Sequence, residues 1–182
     1  IESFWSVNAN DQSREYSRKA IKIILDNFDS YLNGACEEEM LIAANLAGKA
    51  INITQTTAGH AMCYKLTSLY NIAHGHACAL VNSVLLPFML KKSLKDKNNK
   101  LLDVFNELKI LFELKNFEEL SSFLSNLLEK LDLYDISVST FDIELLSSSV
   151  NETRLKNNPI PLTKEDIKEL YLELFKKIEK RK

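Results

Sequence analysis

The segment 43–87, AANLAGKAINITQTTAGHAMCYKLTSLYNIAHGHACALVNSVLLP, constrains the fold more than any other part of the chain. It holds all three histidines, His60, His74 and His76, and three of the four glycines, Gly48, Gly59 and Gly75, among helix-forming alanines. Ala43, Ala44, Ala47, Gly48 and Ala50 let another backbone approach closely, so residues 40–57 are predicted to form a central helix, the most buried of the molecule. A leucine at Ala47 is expected to overpack it at a cost of roughly 1–3 kcal/mol. The run 56–59 is a natural break. A short helix over 61–70, a turn over 71–75 and a helix over 76–90 come next, with Pro87 kinking or ending the last.

The flanking sequence continues in helices. Residues 1–6 read as the end of one, and 7–13 as a polar break in which Asp11 or Ser13 caps a helix reaching Leu32. Tyr16, Ala20, Ile23, Ile24, Phe28 and Tyr31 give that helix its apolar face, and Asn33-Gly34 closes it. Glu37, Glu38 and Glu39 suit the start of the next helix. Residues 91–100 read as an exposed basic linker. Amphipathic helices are predicted over 101–112, 117–131 and 141–150, and Thr163 caps a last one running to about Lys180. Strand patterning is nearly absent, and there is no GxGxxG or Walker motif. The expected fold is all-α, a bundle of about seven to nine helices in one domain over residues 1–182.

At 46% hydrophobic and 26% charged residues, the chain can bury a core without covalent staples. A net charge of -2 gives no case for nucleic acid or an anionic membrane as partner. No run reads as long and apolar enough to span a bilayer. Cys36, Cys63 and Cys78 are an odd number without CxxC spacing, which argues against structural disulfides and for a reducing cytoplasm. Ile1 is not a plausible translation start and no leader comes after it, so the chain is expected to be cut from something longer.

His60 and His74 are fourteen residues apart. On one straight helix they would stand roughly 21 Å apart, whereas a fold-back at the intervening turn lets the rings converge. Paired imidazoles are natural ligands of a divalent transition metal, although histidines near turns also serve as caps and core residues. His76 is expected to point elsewhere. Cys63 and Cys78 lie in apolar surroundings and read as buried, inert thiols. Lys49, Lys65, Thr54, Thr56 and Thr57 have two readings. The threonines bond back to their own helix and the lysines reach solvent, or the cluster holds an anionic substrate group beside a metal.

The stretch GKAINITQTTAGHAMCYKLTSLYNIAHGHACAL resembles the signature of the iron-containing (group III) alcohol dehydrogenase family. There a histidine in a helix is followed fourteen residues on by an HG turn and then a helix ending in LP; here these are His60, His74-Gly75 and Leu86-Pro87. The opening IESFWSVNANDQSREYSRKAI resembles the segment directly after the family's D-x-x-x-H ligand pair, whose second ligand precedes A-I-E. The tail SSSVNETRLKNNPIPLTKEDIKELY is similar to the family's closing pattern, so the resemblance covers nearly the whole chain.

That resemblance implies a two-domain enzyme. A Rossmann-like N-terminal domain binds NAD or NADP. A dehydroquinate synthase-like helical domain holds Fe2+, with Zn2+ the alternative, through one Asp and three His, of which His60 and His74 are two. The metal polarises the alcohol or carbonyl oxygen while hydride passes between carbon and nicotinamide. Many members carry a further histidine four residues after the first of the pair; here Tyr64 takes that catalytic position, and a phenol is a poorer base than an imidazole. The wording HAMxYKLTSLY and the tail are most similar to the branch that reduces phosphonoacetaldehyde to 2-hydroxyethylphosphonate, which would give Lys65, Lys49 and Thr57 a phosphonate to hold. Other short alcohols and aldehydes also fit, and so does a homodimer. The helical domain alone is expected to hold metal poorly, to turn nothing over, and to expose apolar surface around Phe4 and Trp5. A non-catalytic helical binding or assembly module, or a lyase like dehydroquinate synthase, is the alternative.

Overall fold

A computed structural model describes residues 1–136 and 141–180. Among these residues the chain forms ten helices and no strand: α1 (Glu2–Trp5), α2 (Asp11–Leu32), α3 (Glu37–Thr54), α4 (Ala58–Tyr70), α5 (His74–Lys95), α6 (Asn99–Leu111), α7 (Phe117–Lys130), α8 (Ile143–Ser148), α9 (Glu152–Leu155) and α10 (Lys164–Glu179). The count passes the expected seven to nine because α1 and α9 are single turns of four residues.

Local chemistry sets most boundaries. Asn10, rather than Asp11 or Ser13, caps α2: its side chain accepts from Ser13 N while the Ser13 hydroxyl accepts from Asn10 N, a reciprocal capping box. Thr163 and Asp166 form the same box at α10. Gly34, at φ 81, closes α2 in the left-handed region that suits glycine.

The central helix is α5. Leu80, Val81, Val84, Leu85, Leu86 and Met89 are fully buried, and the helix packs against α4, α7, α10 and α6. The expectation that residues 40–57 are the most buried element fails. In α3 only Ala43, Ala50 and Thr54 are buried, while Leu41 is 71% exposed. Its small residues let α3 lie close along α2, but on one side only. Ala47 borders an open apolar groove of about 540 Å³ between α2 and α7, so a leucine there would meet space rather than a packed core. Phe4 and Trp5 are also buried, at 0% and 2% exposure, contrary to the expected apolar surface around them.

Pro87 neither ends nor caps α5, which continues to Lys95, so residues 91–95 are helix rather than linker. A proline removes the hydrogen bond to the carbonyl four residues earlier. That carbonyl belongs to Ser83, and it accepts instead from Lys177 Nζ at 3.3 Å and Ser125 Oγ at 3.4 Å. Side chains of α10 and α7 thus replace the missing backbone donor. By length and composition α5 would suffice to cross a membrane, with mean hydropathy 1.3 over its best window, contrary to the sequence reading. Two thirds of that window is buried inside the domain, as befits a core helix.

Candidate metal centre

The chain breaks after α3 at Gln55, whose φ 57 and ψ -179 lie in a region nearly reserved for glycine. Four hydrogen bonds fix this turn: Gln55 N to Ile51 O, Thr54 Oγ1 to Gln55 O, and Asn157 Nδ2 to both Gln55 Oε1 and Thr56 O. The turn delivers Thr57 to the start of α4, and Thr57 meets Glu2.

Glu2 is 5% exposed and surrounded by donors. Its Oε2 accepts from Thr57 N and Thr57 Oγ1, both at 2.8 Å, and from His60 N at 3.3 Å. Its Oε1 accepts from Asn82 Nδ2 at 3.0 Å and Cys78 Sγ at 3.3 Å, and lies 2.7 Å from His60 Nδ1. Trp5 Nε1 donates to Thr57 Oγ1 from behind at 3.1 Å. Burial opposes the charge, but bonds from His60, Asn82 and Thr57 outweigh it and hold the carboxyl at about 2. Burial likewise disfavours a charged His60, yet its bond to Glu2 and the Glu2 charge carry its pKa above the ordinary value. Gly59 makes this packing possible: a Cβ there would run into the Glu2 carboxylate and the Asn82 amide.

The turn at 71–73, with Asn71 left-handed at φ 54, sends the chain back on itself. His74, the first residue of α5, returns beside His60, with ring centroids 5.3 Å apart. The two histidines thus share one locus, as a common ion requires. His76 points away and bonds the Leu133 carbonyl.

The donor set fits a divalent transition metal. A carboxylate only accepts, so His60 Nδ1 must donate to it, which leaves the lone pair on Nε2, with Cys78 Sγ 3.9 Å away. Ligating histidines are commonly oriented by such a carboxylate on the second nitrogen. His74 Nδ1 lies 3.7 Å from Cys63 Sγ, which leaves its Nε2 free as well.

Glu2, His60 and Cys78 also lie close enough together to bind an ion among themselves. The Glu2 oxygens, however, are already saturated by donors. Hydrogen bonding with Cys63, burial and the nearby carboxylate push the Cys78 thiol well up, so Cys78 donates to Glu2 as a neutral group. Cys63 is buried as expected and Cys78 half-buried, but their surroundings are not purely apolar: Cys63 touches His74, and Cys78 lies 3.2 Å from His60 Nδ1.

Tyr64, one helical turn after His60, is 42% exposed with its ring 5.4 Å from that of His74. Thr57 is brought in, but as a donor to Glu2. The lysines are not brought to the pair: Lys49 Nζ lies over the Tyr16 ring at 5.9 Å, and Lys65 projects about 140° around α4 from His60. Sequence reasoning missed Glu2, Asn82 and Arg154. Only Asn82 left a local signal, as an amide inside the apolar run HACALVNSVLLP.

Fold and site together define a helical domain in which two histidines converge, one of them bonded to a buried carboxylate. Residues 1–175 match the profile described as the Fe-containing alcohol dehydrogenase family, C-terminal. The 4-hydroxybutyrate dehydrogenase of Clostridium kluyveri is 28% identical over 96% of this chain and 49% of its own length. The phosphonoacetaldehyde reductase of Streptomyces viridochromogenes is 30% identical over 48% of this chain and 23% of its own. Among solved structures, an iron-containing alcohol dehydrogenase from Thermotoga maritima superposes with a TM-score of 0.74 at 30% identity, covering 95% of this chain and 45% of that one. The chain belongs to the iron-containing alcohol dehydrogenase family and has the fold of its helical C-terminal domain. It spans about half the length of the curated relatives that it matches end to end.

Proposed function

We propose that this chain is the metal-holding half of an NAD(P)-dependent alcohol dehydrogenase that works as a reductase of small aldehydes. The observation that carries the reading is the convergence of His60 and His74 with the His60 Nδ1 proton fixed on buried Glu2. His60 and His74 would hold the ion, Fe2+ in the first instance and Zn2+ as the alternative. When bound, the metal supplies Lewis-acid polarisation of the carbonyl and the reduced nicotinamide supplies hydride, so that aldehyde, hydride and one proton give the alcohol.

The chain's own residues do the positioning. Glu2 holds the proton at His60 Nδ1 and leaves the lone pair on Nε2. Thr57 and Asn82 keep Glu2 ionised and fixed, and Trp5 fixes Thr57. Tyr64, beside His74 and open to solvent, would pass the proton to the product oxygen.

The substrate class proposed is a short aldehyde with an anionic tail. Two relatives bear names that support this, one for a 4-hydroxy carboxylate and one for phosphonoacetaldehyde. Reduction of phosphonoacetaldehyde to 2-hydroxyethylphosphonate is the specific candidate. The test monitors NADH and NADPH oxidation by the intact, Fe2+-loaded polypeptide with phosphonoacetaldehyde, 4-oxobutanoate and butanal. Turnover that His60→Ala and His74→Ala each abolish is expected; metal-independent turnover, or none with any aldehyde, would overturn the reading.

A further inference from the structure

Arg154 stands out as a cation with no anion. Its guanidinium carbon lies 4.9 Å from the centroid of the Tyr64 ring, and Tyr64 in turn lies against His74. One nitrogen donates to Thr56 Oγ1 at 3.0 Å. Asn151 Oδ1 accepts from Thr153 N and Arg154 N, which fixes the backbone that presents the side chain. Arg154 is half-buried, and no carboxylate pairs with it among the described residues. An arginine withdrawn from water is ordinarily paired. Here, among the described residues, the guanidinium makes one hydrogen bond, to Thr56, out of five N–H donors, and Arg154 lines an open cleft with Asn52, Gln55, Thr56 and Asn151.

We infer that Arg154 is the specificity-determining residue of this site, binding the anionic tail of the substrate while the aldehyde end lies at the His60–His74 pair. The planar fork of the guanidinium suits two oxygens of a carboxylate or phosphonate at once. Tyr64 touches both ends, its ring 4.9 Å from the guanidinium carbon and 5.4 Å from the His74 ring. Thr56 holds the fork from behind. This assigns to Arg154 the charge recognition that the sequence alone attributes to Lys65 and Lys49. The inference rests on the proposed aldehyde-reductase function.

The test uses the intact, metal-loaded polypeptide with three variants: Arg154→Met, Arg154→Lys and, as a control, Lys65→Met. The ratio of kcat/KM for 4-oxobutanoate to that for butanal is measured in each. Arg154→Met is expected to lower the ratio roughly 10–100-fold, mostly through KM, with butanal turnover retained. Arg154→Lys should recover part of the loss, and Lys65→Met should leave the ratio unchanged. A ratio unmoved by Arg154→Met overturns the inference while leaving the reductase reading intact. Calorimetric binding of 4-hydroxybutyrate and 2-hydroxyethylphosphonate serves as a second readout, independent of turnover. Weaker binding to Arg154→Met supports the inference even if neither aldehyde is reduced, and equal binding overturns it.

Discussion

Replacing Glu2 by glutamine isolates what the buried carboxylate does. Every group that meets Glu2 is a donor: two from Thr57, two from His60, and one each from Asn82 and Cys78. An amide nitrogen in place of Oε2 meets the backbone N–H groups of Thr57 and His60, which cannot accept, and in place of Oε1 it is accepted only if His60 Nδ1 gives up its proton and turns its lone pair inward. Breaking a buried pair while one partner stays behind costs about 3–5 kcal/mol. The carboxyl pKa, held at about 2 against an ordinary 4.5, points the same way: the bonds from His60, Asn82 and Thr57 together outweigh the cost of burying the charge. Glu2→Gln should therefore lower the unfolding free energy by about 3–5 kcal/mol. Loss of a carboxylate that orients a ligating histidine should also weaken metal binding roughly 10–100-fold. Both are measured on the intact polypeptide, the first by denaturant titration of the metal-free form and the second by competition against a chelator. An unchanged midpoint together with unchanged metal affinity would refute the reasoning.

The same ion pair sets a pH window in the metal-free protein. The depressed Glu2 pKa contributes stability above about 4.5 that is lost as pH falls toward about 2, and the raised His60 pKa contributes stability below 6.5 that is lost as pH rises through its folded value. Melting temperature measured with a chelator present should peak between these limits, and a monotonic rise through pH 8 would contradict it. Gln55→Gly should relieve a backbone conformation that costs about 1–3 kcal/mol, more than the exposed bond from Asn157 to the Gln55 side chain that it removes, and raise the unfolding midpoint above that of Gln55→Ala, which loses the same bond and keeps the strain; equal midpoints would show the turn to be unstrained. Lys177→Met should leave the Ser83 carbonyl short of its principal donor and cost about 1–3 kcal/mol, and a neutral effect would mean that Ser125 alone suffices.

Much of the fold was legible because it depends on nearest neighbours along the chain. The face of α2, the Thr163 cap and the breaks near residues 33, 56 and 71 all derive from local propensity. Burial rank was not. The small residues of α3 suit close packing, but which helix becomes central depends on what packs around it, and the branched residues of α5 won that place. Pro87 was misread for a related reason. A proline ends a helix unless distant side chains supply the missing donor, and Lys177 lies ninety residues away. The convergence of His60 and His74 was legible through the turn between them, whereas their role as ligands came only from the family resemblance. Glu2 was not, because nothing in IESFWS says that the acid lies inside among donors 55 to 80 residues further on. Arg154 was hidden in a polar tail whose composition reads as surface.

In the proposed site His60 and His74 hold the ion through nitrogen, while Glu2 and Cys78 stay outside the coordination shell and only orient. X-ray absorption at the metal edge of the intact, Zn2+-loaded polypeptide tests it directly. The expected spectrum has nitrogen and oxygen scatterers at about 2.0–2.2 Å, with imidazole outer-shell features that weaken in His60→Ala and in His74→Ala. A sulfur scatterer at about 2.3 Å that disappears in Cys78→Ser would contradict it and move the ion to the Glu2–His60–Cys78 cluster.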